Sequence, residues 1–264
     1  MAKKKTRGFG RFVEVSFVLL STLVVWELVV WLVKPQPFIL PGPINIVKEF
    51  VSSPGYFLQH AAFTLGTTIA GFVLALALGF LAAVGIVYSL VLERTLYTLL
   101  VALNSVPKVA LSPLFVIWMG TGVEPKIAIV LMITIFATVI DTVLGLRSVE
   151  PELLQLAKSA RASGWHVLMK IRLPSALPSM FAGMKLAISL ALVGAIVGEF
   201  VAGNTGLGQV ILQAQGMFQT PRMFVAIFIL GILGTVLFYA IDWAERLLLP
   251  WHISQRGAAI AHSA

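Results

Sequence analysis

A lysine lies inside an apolar stretch of the sequence, in NSVPKVALSP, where Pro107 and Pro113 flank Lys108. An ionisable side chain within a membrane span costs a few kcal/mol on insertion scales, so it marks a functional site or is paired. Lys108 is interpreted either as a cationic lining that attracts an anionic or electron-rich solute, or as a lysine paired with an acid or placed at a subunit contact. Asn104 precedes it by one helical turn, so it can line the same face.

Two acidic residues are the other candidates for a solute pathway. Asp141 lies late in one apolar stretch and Glu199 near the outer end of the next. Capping at a membrane interface, or pairing with Arg147 or a loop amide, is the alternative interpretation of both. The predicted translocation pathway therefore comprises Asn104, Lys108, Asp141 and Glu199.

Other chemistry is poorly represented in this sequence. The chain has no cysteine, and its histidines lack ligand-like spacing, which argues against a metal site. No G-x-x-x-x-G-K-[ST] segment is present to hold ATP phosphates, and the GLG of residues 206–208 follows no strand, so it is not a dinucleotide fingerprint. We predict no catalytic residue, no metal and no cofactor on this chain. The four histidines are His60, His166, His252 and His262.

Composition indicates the elements that must position the candidate residues. The chain is 59% hydrophobic and 11% charged, with a mean hydropathy of +0.97, which is typical of an integral membrane protein. Lipid cannot satisfy backbone polar groups, so an all-α bundle is expected. Six windows are long enough to cross the roughly 30 Å hydrocarbon core. They lie near 12–33, 62–91, 96–119, 126–146, 179–202 and 223–247.

Basic residues predict the orientation of these six spans. Fourteen of the nineteen Lys and Arg residues fall in the tails, loops and adjoining span ends on one side, which the positive-inside rule assigns to the cytoplasm. Both termini are then cytoplasmic, and the first span is a retained helix rather than a cleaved signal peptide. The net charge of +8 is explained by topology and anionic lipid, and nucleic acid is not expected as a partner.

A basic segment of about thirty residues separates the fourth and fifth spans, on the predicted cytoplasmic side. Its apolar residues have helical spacing, which predicts a helix from about 151 to 163, a turn at Gly164 and a second short helix. Pro174 and Pro178 are expected to limit helix continuation where the chain re-enters the membrane. Most connections run two to eight residues, so this hairpin (residues 147–178) indicates a surface for a protein partner. A solvated connector is the alternative.

One aromatic residue and one polar segment stand apart from the spans. Most tryptophans fall where an interfacial belt is expected, but Trp165 lies in the hairpin and is a candidate anchor for a partner. Residues 203–222 are too polar to span the membrane, yet Leu207, Val210, Ile211 and Ala214 have helical spacing. A helix on the external side is therefore expected there.

The hairpin resembles the signature loop of permease subunits of binding-protein-dependent ABC importers with the type I fold. That signature reads Glu-Ala-Ala, three residues, Gly, nine residues, Ile, one residue, Leu-Pro. Here it becomes QLA at residues 155–157, then Arg161 at the glycine position, Ile171, and Leu173 with Pro174. The C-terminal part of the signature is intact, whereas its N-terminal part differs from the family pattern. Gly164 is expected to take over the bend that the missing glycine makes.

The resemblance extends through FILPGPINIV (38–47), NSVPKVALSPLFVIWMGTG (104–122), DTVLGLRSVEPELL (141–154) and GEFVAGNTGLGQVI (198–211). These stretches look like the branch that imports nitrate, sulfonates, taurine, pyrimidine precursors or riboflavin-like compounds. Sulfonate and nitrate permeases tend to carry a second proline where this chain has Lys108, which favours the pyrimidine or riboflavin-like branch.

The resemblance implies an importer subunit in a bacterial inner membrane, with ATP and Mg bound by a partner ATPase dimer. It also implies a second permease subunit, expected to be an identical copy, and an extracytoplasmic binding protein. The external helix at 203–222 is expected to gate the external mouth or to meet the binding protein. The expected organisation is an N-terminal part (1–59), a permease core (60–247) and a cytoplasmic C-tail (248–264). An ion-coupled secondary transporter is the alternative. The residues expected to contact the ATPase are Ala157, Lys158, Ala160, Arg161, Ala162, Ser163, Gly164 and Trp165.

Overall fold

Helices make up the regular structure of residues 3–36 and 38–250, which are the residues that this computed structural model describes, and no strand occurs among them. The predicted C-tail lies almost entirely outside the described residues. The helices are α1 (Lys3–Val33), α2 (Pro43–Ser52), α3 (Pro54–Tyr88), α4 (Leu90–Ser105), α5 (Ser112–Met119), α6 (Glu124–Arg147), α7 (Pro151–Ser159), α8 (Gly164–Val167), α9 (Leu173–Ala202), α10 (Leu207–Gly216) and α11 (Thr220–Leu248).

Four helical segments are long and apolar enough to cross a membrane: α3, α6, α9 with its N-terminal extension, and α11. The candidate span at 96–119 is bent rather than straight, because α4 and the segment Lys108–Met119 meet at an angle of 88°. Pro107 supplies no backbone N–H and restricts the residue before it, so the helix ends at Ser105 and a 3₁₀ turn follows. The bent pair adds a fifth candidate and α1 a shorter apolar segment, so the count of six spans stays a prediction.

Helices α3, α6 and α9 form the centre of the bundle, and small residues let them approach closely. Any side chain at Gly194 of α9 would collide with the backbone of Val130 in α6, where a Cβ would lie 2.9 Å from its Cα. Gly145 of α6 is similarly close to Ala176 of α9, at 2.8 Å from its carbonyl oxygen. Close contact between small residues is the ordinary way that helices pack in lipid, where no hydrophobic effect drives them together.

The prolines that were expected to stop the helix after the hairpin do not stop it. Residues 164–202 form one helical run, in which a π turn at Leu168–Arg172 joins α8 to α9. Pro174 lies in the first turn of α9, where its missing N–H costs little, and Pro178 lies inside the helix. A π turn holds one extra residue per turn, which is a common adjustment beside a proline in a helix. The hairpin is thereby continuous with a membrane span.

Candidate functional site

The turn of the hairpin is made by Arg161, and the expectation that Gly164 makes it is wrong. Arg161 adopts a left-handed φ of 51°. Its N–H donates to the carbonyl oxygen of Lys158, and the N–H of Ala162 donates to that of Ala157, both at 3.0 Å. This pair of bonds is a Schellman motif, whose left-handed residue is usually glycine. Arg161 therefore has the backbone conformation that the signature assigns to a glycine at this position.

Gly164 instead begins α8, and α7 ends at Ser159 rather than near 163. Ser163 is the N-cap of α8, since its hydroxyl oxygen accepts the N–H of His166 at 3.4 Å. The same oxygen lies 2.8 Å from Nδ1 of His166. Two short helices joined by four residues thus form the expected amphipathic hairpin.

An open cavity of about 610 Å³ lies between the two arms of the hairpin. Its wall includes Leu153, Ala157 and Arg161. Three large apolar side chains are exposed on the hairpin, Leu156 at 66%, Trp165 at 65% and Leu153 at 44%. Concave apolar surface next to exposed aromatic residues is typical of protein interfaces. All eight residues predicted to contact the ATPase lie on this hairpin, and their role stays a prediction.

Side chains that the sequence analysis did not single out hold the hairpin to the bundle. Arg172 donates from Nη1 to the carbonyl oxygen of Leu146 at 2.7 Å, and its guanidinium lies over the ring of Tyr88 at 5.7 Å. The hydroxyl of Tyr88 donates to the carbonyl oxygen of Gly164 at 3.2 Å. The ends of α3 and α6 are thus joined to the hairpin. A tyrosine at the end of an apolar span is too common a feature to have predicted this contact.

Lys108 lies at the break in the bent pair rather than within a straight span. Its Nζ donates to Oδ1 of Asn104 at 2.6 Å, and it lies 5.5 Å from the centre of the Phe136 ring. The structure therefore brings together two of the four predicted pathway residues. Asn104 is exposed and Lys108 half-buried, so this pair is accessible from outside the single chain.

Asp141 lies on α6 against Gly183 of α9, where any side chain would collide with the aspartate. Arg147, considered above as its partner, pairs with Glu93 at 2.9 Å. Nearby on α9, Lys185 donates to Asp242 and lies 2.5 Å from Glu245, both on α11. An ion-pair cluster therefore joins α9 and α11.

Glu199 is completely buried, at 0% exposure. Its Oε1 accepts the hydroxyl of Thr64 and its Oε2 accepts the N–H of Gly208, each at 2.7 Å. Lys126, 2% exposed, lies with its ammonium 4.8 Å from the centre of the Phe63 ring. Neither Asp141 nor Glu199 is brought to the pair of Asn104 and Lys108, and the pathway role of all four stays a prediction.

Comparison with known proteins identifies the family to which these features belong. The profile of the family described as binding-protein-dependent transport system inner membrane component matches residues 75–251. The riboflavin transport system permease protein RibX of Chloroflexus aurantiacus is 37% identical over 256 residues, which cover 95% of this chain and 96% of RibX. The formylaminopyrimidine transport permease protein ThiX of Halalkalibacterium halodurans is 34% identical over 243 residues, covering 92% of this chain and 97% of ThiX.

A more distant relative is the putative aliphatic sulfonates transport permease protein SsuC of Escherichia coli, 32% identical over 241 residues that cover 89% of this chain and 90% of SsuC. Among solved structures, the MetNI methionine ABC transporter in inward-facing conformations matches 73% of this chain and 94% of its own, with a TM-score of 0.59 and 20% identity. An amino acid ABC transporter matches 76% of this chain and 95% of its own, with a TM-score of 0.60 and 15% identity. The structural matches confirm the predicted fold of type I importer permeases, and the sequence matches show that the chain belongs to the family of inner membrane components of binding-protein-dependent transport systems.

Proposed function

We propose that this chain forms the translocation path of an ATP-driven importer and takes its energy from a separate ATPase that binds the hairpin. The observation that carries the proposal is the hairpin itself: an open apolar cavity, exposed Leu156 and Trp165, and a continuous helical connection into α9. A rigid connection of this kind converts the closure of a bound partner into tilting of a span, which is a common route to alternating access. ATP and solute are then linked through the two states of the bundle.

The proposed assembly contains two permease subunits, expected to be identical, two ATPase subunits that hold ATP and Mg, and an extracytoplasmic binding protein. The permease core of 60–247 spans a bacterial inner membrane, and the N-terminal part (1–59) and the C-tail (248–264) flank it. Both termini and the hairpin lie in the cytoplasm, an orientation supported by the distribution of Lys and Arg. ATP hydrolysis belongs to the partner, so the chain itself is not an enzyme.

The proposed solute is a pyrimidine precursor or a riboflavin-like compound, with a small anion such as a sulfonate, taurine or nitrate as the second class. The riboflavin and formylaminopyrimidine transport named for RibX and ThiX, at 37% and 34% identity, supports the first class, and the sulfonate transport named for SsuC, at 32%, supports the second. The accessible pair of Asn104 and Lys108 beside Phe136 fits an electron-rich planar solute, because it offers a cation, an amide and an aromatic face.

Reconstitution in lipid vesicles tests this function directly. The permease, its ATPase and its binding protein are supplied with ATP, and uptake of labelled formylaminopyrimidine, riboflavin and taurine is measured. We expect ATP-dependent uptake of one of the two heterocycles. Lys108→Ala should reduce that uptake about tenfold, because it removes a charged hydrogen-bond donor to the solute. Uptake by the permease alone in vesicles without ATPase would contradict the proposal and favour the ion-coupled transporter.

A further inference from the structure

The first turn of α10 is capped by side chains from other helices rather than by its own residues. The N–H of Gly206 donates to Nδ1 of His60 at 2.9 Å, and the N–H of Leu207 donates to Oγ1 of Thr64 at 2.9 Å. The N–H of Gly208 donates to Glu199. Three successive N–H groups at the start of a helix have no partner within that helix, so each needs one from elsewhere. Here α3 supplies two of the acceptors and α9 the third.

The backbone of α10 is shaped around the carboxyl group of Glu199. Gly206 has a φ of 112° and a ψ of 162°, a region open essentially to glycine alone. Any side chain at Gly206 would collide with the Glu199 carboxyl, and a Cβ at Gly208 would lie 2.9 Å from that of Glu199. The GLG stretch of residues 206–208 is therefore explained by close approach to Glu199.

Thr64 and Glu199 also bond each other, so the two helices that cap α10 are joined at the same point. The Thr64 hydroxyl donates to Glu199 while its oxygen accepts from Leu207. Thr64, like Glu199, is completely buried at 0% exposure. The start of α6 packs here as well, since a Cβ at Gly198 would lie 3.0 Å from the Cα of Lys126. A buried network in which every member is bonded fixes one arrangement of its helices.

Glu199 lies in the last turn of the same helical run that begins at the hairpin. Residues 164–202 extend over about 58 Å at the rise of an α-helix. Contacts with α6 through Gly145 and Gly194 hold this run along its length. A displacement of the hairpin therefore reaches the level of α10 through a single continuous element.

We propose that His60, Thr64 and Glu199, named here the α10 anchor, are positioning residues that make α10 move with α9 when the hairpin moves. This inference rests on the proposed function, because it assigns the hairpin to the ATPase. In the predicted topology α10 lies on the external side, so the α10 anchor carries the state of the ATPase to the external surface of the permease.

Hydrogen exchange on the permease–ATPase complex in lipid nanodiscs tests the α10 anchor without requiring a known solute. Thr64→Val removes the hydroxyl that joins α3, α9 and α10, whereas Thr64→Ser retains it. Thr67→Val is the matched control: Thr67 is also buried, on the same helix, but its hydroxyl donates only to carbonyl oxygens of its own helix, those of Phe63 and Thr64.

We expect exchange at the amides of residues 206–210 to be about tenfold faster in Thr64→Val, as for the loss of one buried hydrogen bond. In the wild type, addition of ATP changes exchange both in the hairpin and in α10. In Thr64→Val the response of the hairpin to ATP persists and that of α10 is lost. Thr64→Ser and Thr67→Val behave like the wild type.

A response of α10 to ATP that persists at wild-type size in Thr64→Val would overturn the inference, as would equal exchange in Thr64→Val and Thr67→Val. A wild-type hairpin that shows no response to ATP would contradict the proposed function and with it the transmission to α10. In that case, faster exchange of α10 in Thr64→Val than in Thr67→Val would still confirm that the α10 anchor holds α10. Failure of the proposed function is therefore distinguishable from failure of the α10 anchor.

Discussion

The two ends of the long helical run at residues 164–202 are held in different ways. At the hairpin, the turn is closed by backbone hydrogen bonds around Arg161, and Leu156 and Trp165 remain exposed. At the other end, side chains of α3 and α9 cap α10, and Glu199 is completely buried. The first end leaves apolar side chains exposed in this chain, whereas the second satisfies its polar groups within the chain.

The residue with a positive φ near each end also differs in how closely it is packed. Arg161, with a φ of 51°, lies in a region that residues other than glycine visit at a modest cost. Gly206, with a φ of 112°, lies where side chains are excluded, and Glu199 fills the space beside it. A tightly packed internal contact thus demands glycine, while an open turn tolerates arginine.

The largest effect is expected from Gly206→Ala. The new side chain is strained at this φ and displaces the Glu199 carboxyl, so the free energy of unfolding falls by about 3 kcal/mol. Thermal unfolding of the purified permease in detergent measures this loss. Gly216→Ala is the control, at the other end of α10, where no described atom beyond the neighbouring backbone of the helix lies within 4 Å of a new Cβ. Equal melting temperatures for the two variants would show that the contact of Gly206 with Glu199 does not stabilise the end of the helical run at α10.

A smaller loss of unfolding free energy is expected from Lys185→Met. This substitution tests whether α11 holds the middle of the helical run at residues 164–202. The substitution leaves Asp242 and Glu245 without the cation that they share, and we expect a loss of about 2 kcal/mol in unfolding free energy. Lys158→Met, on the exposed surface of α7, is the control and should change little. Asp242 keeps Arg246 as a partner at 2.7 Å, so Glu245→Gln is the second substitution to add; if it restores none of the loss, the ion-pair explanation is wrong.

Binding rather than stability is expected to change in Trp165→Ala. Removal of an exposed aromatic anchor should weaken binding of the ATPase about thirtyfold, equivalent to about 2 kcal/mol, and leave the melting temperature of the permease unchanged. Trp118→Ala is a close control, because Trp118 of α5 is exposed to 68% but lies outside the hairpin. Titration of labelled ATPase onto each permease variant in nanodiscs gives the two dissociation constants to be compared. Equal weakening by the two variants would argue against the hairpin as the docking surface.

The smallest effect is expected from Arg161→Gly, which separates the conformation of the turn from its charge. Glycine adopts the left-handed conformation without strain, so the permease should gain at most about 1 kcal/mol in unfolding free energy and should keep its uptake. Arg161→Glu retains the strain and reverses the charge, and it should uncouple ATP hydrolysis from uptake. Uptake per ATP hydrolysed, measured in vesicles, distinguishes the two variants. Unchanged coupling in Arg161→Glu would exclude a role for this charge.

Some features of the fold could be predicted because they depend on local pattern. Apolar runs of sufficient length predicted helices close to the observed α3, α6, α9 and α11. The spacing of Leu207, Val210, Ile211 and Ala214 predicted α10. The amphipathic pattern predicted the hairpin, although α7 ends earlier than expected, because its Schellman motif forms at Arg161.

Other features could not be predicted, because they depend on residues far apart in the sequence. The bonds between Thr64 and Glu199 and between His60 and Gly206 join positions separated by 135 and 146 residues. Pro107 breaks one candidate span, whereas Pro178, which was expected to limit helix continuation, lies inside α9. A proline only removes one N–H, and whether the helix continues depends on how its neighbours accommodate the loss.

The sequence by itself determined that this chain is a helical membrane protein with a basic amphipathic hairpin, because hydropathy, helical period and the placement of charge are local properties. Only the tertiary structure decided that Glu199 caps α10, that Arg161 makes the hairpin turn, and that one helical run joins these two sites. A buried carboxyl group must find hydrogen-bond partners wherever packing brings them. In this protein those partners come from helices distant in the sequence.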